Sequence, residues 1–327
     1  MAITTDRLLT GIKRRAVIPT NQVLFEDSDI LDFIDDVIKV HVVPLVDSVN
    51  GEYFVTSSLT ALVASQSNYK IPSRSIGRTI RDLKIEDTRS SGVRNCPYIE
   101  PEDIHLYSNT SLNYGHYFKG DEIYLVPDVP SNISLDPITL KATESLQIWY
   151  KLRPSSLVKL TNAAKVSSVS IPEDLTDPGT VVVESVGDVV TSSVIDFIQG
   201  TSGNGILGMD KTCTNVAGTT LTFLGSDIPT GLAAGDYISL YGTSPVVTMI
   251  PDECSPWIER LTAQEILLSI GDDIGADKLA PGIGVERKNL LSLLEPRNEG
   301  EPKIIMNRDS LARGGKFQHG RWLYGGG

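Results

Sequence analysis

TVVVESVGDVVTSSVIDFI, residues 180–198, reads as extended chain and not as helix. Branched side chains at Cβ lose rotamer freedom in a helix but pack well on a pleated surface, so 180–186 and 189–198 are predicted strands. The same texture recurs at 211–216, 219–224 and 237–241, and Ala217-Gly218 supplies a hairpin turn between two of these runs. Residues 163–248 therefore form one β-rich compositional unit. Nine acids (Glu173, Asp174, Asp177, Glu184, Asp188, Asp196, Asp210, Asp227 and Asp236) stand there against Lys165 and Lys211 alone. An acidic β unit bounded by other textures reads as an insertion that folds by itself.

Outward from that unit, helical spacing appears on both sides. Upstream, Ile30, Leu31, Phe33, Ile34, Val37, Ile38 and Leu45 recur at the period of an amphipathic helix. The acids Glu26, Asp27 and Asp29 complement its dipole, and Pro44 is expected to mark its boundary. Downstream, Trp257, Ile258, Leu261, Ile266, Leu267 and Ile270 come after Pro256 and stop at Gly271. A second short helix is expected over 285–294, before Pro296, making an αα-hairpin that packs on the upstream helix. Between the first helix and the β unit, residues 53–158 break into short extended runs at 52–55, 69–71, 117–126 and 146–152. The segment GRTIRDLKI (77–85) fits neither period well. A small antiparallel sheet is the expectation there.

The fold class expected is thus α+β: a helical bundle packed with a small antiparallel sheet, a β-rich inserted domain and an extended C-terminal tail. The chain divides into a core of N-terminal helix and sheet at 1–162, the acidic β insertion at 163–248, a helical hairpin completing the core at 249–302, and a docking tail at 303–327.

The 327 residues are 40% hydrophobic and carry 41 acids against 29 bases, a net charge of −12. A general nucleic-acid or anionic-membrane binder is not expected from that balance. The ends are basic where the body is acidic: Arg7, Lys13, Arg14 and Arg15 lie near one end, and the tail carries Lys303, Arg308, Arg313, Lys316 and Arg321 against Asp309. Cys96, Cys213 and Cys254 are far apart with no CxxC spacing, which reads as isolated buried thiols. No signal-peptide-like start or membrane-length apolar window is present, so a cytoplasmic site of synthesis and assembly is expected.

Several short motifs invite chemistry, and each has a plainer reading. Gly203-Asn204-Gly205-Ile206-Leu207-Gly208 spells GxGxxG, but a dinucleotide site needs a helix behind it, and the run MDKTCTNVAGTTLTF behind this one is β-rich. Ser156 and Lys159 make an SxxK without its partner motifs. Gly271-Asp272-Asp273 sits where a helix ends and reads as a solvated turn. His41, His105, His116 and His319 do not pair at metal spacing, and the acids of 26–36 lack a calcium loop's glycine turn. No catalytic residue, cofactor or metal is expected.

The residues assigned a role are in the tail. Phe317, Trp322 and Tyr324 are large aromatics among glycines, in a segment too sparse in apolar residues to build a core. With Arg308, Arg313 and Arg321 they suit docking on a partner surface.

A family resemblance is carried by Tyr69-Lys70-Ile71-Pro72-Ser73-Arg74-Ser75-Ile76-Gly77-Arg78, Pro101-Glu102-Asp103-Ile104, IYLVPDVP at 123–130 and Trp149-Tyr150-Lys151-Leu152-Arg153-Pro154. It continues through Gly235-Asp236-Tyr237-Ile238-Ser239-Leu240, Thr243-Ser244-Pro245, Ile250-Pro251-Asp252 and Leu268-Ser269-Ile270-Gly271-Asp272. These blocks resemble virion proteins of tailed bacteriophages, and within them the head-to-tail connector or neck adaptors. The resemblance implies a structural, non-enzymatic protein of the virion, a homo-oligomeric ring of twelve copies between portal and tail. Its implied neighbours are the portal protein and a second neck or tail protein, with DNA passing through without specific binding. The acidic β unit is large for such adaptors, and a host-surface glycan-binding tail component is the alternative.

Overall fold

The computed structural model describes residues 3–18, 25–87, 92–107, 114–129, 144–201 and 203–294. Six α-helices are present among them: α1 (Thr5–Arg15), α2 (Asp27–Val37), α3 (Val43–Val49), α4 (Ile104–Tyr107), α5 (Ser255–Ser269) and α6 (Asp273–Leu294). α1 starts on the Thr4 hydroxyl, which accepts from Arg7 N–H, and runs from Asp6 to Lys13, Arg14 and Arg15, the charge order a helix dipole favours. α2 opens on a reciprocal box in which Glu26 caps the Asp29 amide and Asp29 accepts from the Glu26 amide at 2.8 Å.

These helices bury one stripe each. Leu8 and Ile12 of α1, Ile30 and Ile34 of α2, Val46 of α3 and Ile258 and Ile266 of α5 are essentially sealed from solvent in one core. Each such side chain contributes about 1.5–3 kcal/mol of burial. α1 and α5 approach closely at Gly11, where a Cβ would lie 2.5 Å from the Glu259 carboxyl group that pairs with Arg15.

Pro44 does not end the helix that carries it. A π-turn over Ile38–Val42 joins α2 to α3, with the Val43 amide bonding back to the Ile38 carbonyl, and the chain stays helical to Val49. A proline removes one amide and crowds the carbonyl four residues back. The wider turn just ahead of it takes up that mismatch.

The strands lie between α3 and α5. They are β1 (Val55–Ala61), β2 (Asn68–Lys70), β3 (Ser75–Asp87), β4 (Gly92–Asn95), β5 (Gly115–Lys119), β6 (Glu122–Val126), β7 (Glu144–Leu152) and β8 (Ser156–Leu157). From residue 164 onward come β9 (Ala164–Ser170), β10 (Pro178–Val183), β11 (Val194–Ile198), β12 (Ile206–Thr212), β13 (Asn215–Ala217), β14 (Thr220–Leu224), β15 (Tyr237–Leu240) and β16 (Thr243–Ser244). Antiparallel sheets run in the orders β1-β7-β3-β4, β2-β6-β5 and β12-β11-β15-β9-β10-β14-β13, and β8 pairs with β16 in parallel. The first two share a core around Leu83, Ile85, Ile123, Leu146 and Ile148. The seven-stranded sheet draws every strand from the stretch Ala164 to Leu240 and keeps its own core, with Phe197 and Phe223 fully buried edge to face at 5.2 Å.

The expected fold class needs correction. A helical bundle with a small sheet is overturned by a strand-rich architecture whose largest element is the seven-stranded sheet. Local departures accompany it in both directions, one toward strand and two toward helix. GRTIRDLKI lies within β3, thirteen residues long, whose side chains lose strict alternation because the register to β7 breaks between Ser75 and Asp82. The helix expected over 285–294 runs instead from Asp273 through Pro281 for 22 residues. α1 is a helix that the sequence reading does not include.

Residues up to Leu294 form one compact unit. The tail at 303–327, with Arg308, Arg313, Phe317, Arg321, Trp322 and Tyr324, lies outside the described residues.

Candidate functional site

The short motifs resolve into scaffold. The GxGxxG run enters β12, an outer strand of the large sheet, in an antiparallel hairpin with β11; the Gln199 amide donates to the Gly205 carbonyl at 2.9 Å, and β12 leads into β13 with no helix between. A pyrophosphate cradle requires that helix. Ser156 sits in the two-residue β8, and Asp272 accepts from the Gly275 amide at 2.9 Å to start α6. His116 is buried and donates from Nδ1 to the Cys96 carbonyl at 2.8 Å; burial pushes its pKa down. Its ring packs against Tyr98 and Phe118. Among the described residues no group of three or more His, Cys, Asp or Glu could hold a metal ion.

The acidic stretch 26–36 is not uniformly solvated. Asp35 is buried and accepts the Leu157 amide at 2.9 Å, fastening α2 to β8. Burial raises its pKa, against the pull of that hydrogen bond and of Lys39 at 3.7 Å.

A polar cluster with no counterpart in the sequence reading joins the smaller sheets to the large one. Arg74, in the turn before β3, donates to Asp196 of β11 at 2.6 Å and to the Ser155 hydroxyl at 2.8 Å. Asp196 also accepts the amides of Asp210 and Gly242, each at 3.1 Å. The Arg74 guanidinium lies 5.7 Å from the centre of the Tyr241 ring. Asp196 is fully buried and Arg74 nearly so. At the rim, partial burial and then the charge of Asp196 raise the pKa of Asp210. With every oxygen of Asp196 engaged, the group is a clamp and holds no atom ready for proton transfer.

Several apolar side chains look outward among the polar ones. α6 packs inward through Ala276, Leu279, Ile283, Leu290 and Leu294, yet Ile274, Val285 and Leu293 are 72%, 58% and 64% exposed. Ile274, Pro281 and Val285 fall at a seven- and four-residue spacing opposite the packed stripe. On the packed side of α6 a groove of about 380 Å³ runs between the π-turn and α5–α6, lined by Val40, Pro44, Leu45, Trp257, Leu261 and Ile283, with His41 and Arg287 also lining it. The Trp257 indole N–H is buried there without a partner among the described residues. No described helix is long and apolar enough to cross a membrane.

Comparison with protein-family models and with curated proteins returns no match for this chain.

Proposed function

We propose that this chain is a structural subunit of a tailed-bacteriophage particle, assembling as a ring between portal and tail, lining the DNA channel and joining head to tail. The observation that carries the reading is the outer side of α6, where Ile274, Pro281 and Val285 stand exposed among Lys278, Lys288 and Ser292. A surface helix of a solitary globular protein normally turns a polar face to water. The exposed Ile274, Val285 and Leu293 suit contact with another subunit. The resemblance of the blocks at 69–78, 123–130 and 149–154 to connector proteins supports the same reading, with twelve copies by analogy.

In this reading the work is mechanical. The helical core supplies lateral contacts, the tail residues Arg308, Arg313, Phe317, Arg321, Trp322 and Tyr324 dock on the portal or a second neck protein, and the net charge of −12 keeps DNA from adhering as it passes. The glycan-binding alternative draws less support. It asks the β unit for a cluster of exposed rings, whereas Phe197 and Phe223 are fully buried and Tyr237 nearly so, which leaves Tyr241, 41% exposed beside Arg74, as a single ring.

The test is a change on α6 alone. Val285→Glu leaves the thermal unfolding of the purified chain unchanged and abolishes its incorporation into particles. Incorporation at the wild-type level would rule out α6 as the lateral contact.

A further inference from the structure

β1 is an uncovered strand of unusual composition. From Tyr53 to Tyr69 the chain holds no charged residue, no proline and no glycine. Natural sheets protect long edges with such residues, with bulges or by keeping the edge short. The outer strands of the other two antiparallel sheets obey that rule. β12 carries Asp210 and Lys211, with Asp210 at φ 58° and a broken register to β11; β13 and β2 are three residues long; β5 is bridged by Tyr98. β1 pairs with β7 in an unbroken seven-residue register and has no strand on its other side among the described residues.

The hydrogen-bond phase of this edge is set by two bonds. The Leu152 amide donates to the Phe54 carbonyl, and the Leu62 amide donates to the Glu144 carbonyl. Antiparallel partners alternate between bonded and non-bonded pairs, so the even-numbered residues of β1 face β7. Ser57, Leu59 and Ala61 therefore point their amides and carbonyls outward. At the opposite edge of the same sheet, the Cys96 amide donates to the Leu83 carbonyl, which turns Gly92 and Arg94 toward β3 and leaves Val93 and Asn95 pointing outward.

These two edges match. The order β1-β7-β3-β4 is antiparallel throughout, so β1 and β4 have opposite directions, and β1 of one copy set beside β4 of the next continues the antiparallel alternation. Among the registers that keep the outward groups in phase, one sets Leu59 opposite Val93 and Ser57 opposite Asn95, and it is the one that pairs the two exposed apolar side chains. The strand registers place all four on one face of the sheet, through Leu59–Gln147–Lys84–Asn95 and Ala61–Ser145–Glu86–Val93. Leu59 is 60% and Val93 55% exposed, and each would cover the other. We infer that β1 pairs with β4 of a second copy of this chain, so that one antiparallel sheet continues from subunit to subunit. The contact is head to tail, as a ring needs. It rests on the ring reading above and names the backbone contact that would link neighbours.

The test uses paired cysteines in the full-length chain. The three native cysteines are buried, and bonded antiparallel partners lie about 5.5 Å apart at Cα, within disulfide reach. Leu59→Cys with Val93→Cys should give a ladder of interchain disulfides under mild oxidation, in concentrated solution or in assembled particles. Each single variant should give none. Absence of the ladder in both settings overturns the pairing, and so does dimer formation by Leu59→Cys alone, which would mean β1 meeting β1. As a second measurement, Leu59→Pro removes an outward amide, at an edge position where proline is tolerated in sheets. It should keep the wild-type melting temperature and lose assembly at least tenfold. If Leu59→Pro destabilises the fold, Leu59→Lys serves instead, and unimpaired assembly of that variant overturns the pairing. A ring seen in particles without the cross-link would sink this contact alone. A ladder from a chain located elsewhere in the particle would sink the ring reading and leave the pairing intact.

Discussion

Arg74 and Asp196 meet at 2.6 Å with almost no solvent access, 122 residues apart in sequence, and tie the turn before β3 to β11, next to the outer strand β12 of the seven-stranded sheet. A buried ion pair stabilises little beyond what its desolvation costs, but breaking one half of it strands the other. Arg74→Met should therefore lower stability by about 3–5 kcal/mol in urea unfolding. A loss below about 1 kcal/mol would show that Asp196 is satisfied by the Asp210 and Gly242 amides alone.

Asp35 and His116 give the chain opposite responses to acid. Burial raises the Asp35 carboxyl, so its folded form takes up a proton at higher pH than the unfolded chain does. Its contribution to stability is full below about pH 3.9 and is lost as pH rises through the folded value. Asp35→Asn keeps an acceptor for the Leu157 amide and should melt above wild type at pH 7, with the gap closing toward pH 4. His116 is pushed down by burial, so its contribution is present above about pH 6.5 and is lost as pH falls through the lowered folded value. His116→Gln should flatten the stability profile below pH 6.5. An unchanged profile in either variant would count against that group's burial.

Two glycines with similar backbones should behave differently. Gly187 has φ 55° and a Cβ there would lie 2.3 Å from the Asn162 carbonyl oxygen; Gly120 has φ 63° and open space around it. Gly120→Ala should cost only the left-handed penalty of about 1–2 kcal/mol. Gly187→Ala should cost more, because backbone must move as well. Equal losses would refute the contact.

Cys96 and Cys254 are buried, and burial pushes both thiols up to about 12. Thiolate is the reactive form, so neither should react with an aromatic disulfide reagent at pH 8 until the chain unfolds. Rapid labelling of the native chain would show that the core around them opens.

What the sequence makes legible is local. The β unit is readable because runs such as TVVVESV and TLTFL carry their preference in adjacent residues, and Gly218 at φ 60° sits in the turn between β13 and β14. α5 is readable from its period and from Gly271 at φ 79° behind it. Helix boundaries at proline are not, since the π-turn before Pro44 and the continuation of α6 through Pro281 depend on neighbouring helices. β3 is hidden because its register to β7 breaks. The Arg74–Asp196 clamp leaves no local signal at all: a lone Arg and a lone Asp acquire meaning only once distant strands meet. The tail carries the strongest sequence argument for a partner, and it lies outside the described residues.

For the tail, cutting the chain after Pro302 should leave unfolding unchanged and abolish attachment to capsids. Attachment that survives the cut would refute docking through Phe317, Trp322 and Tyr324.

Whether the chain is a ring subunit joining head to tail is decided by an electron cryomicroscopy map of the intact particle. The expected density is a closed ring of this fold immediately beneath the portal, with α6 between subunits. Density for the chain at the tail tip, or isolated copies without lateral contact, would mean that it is no such subunit.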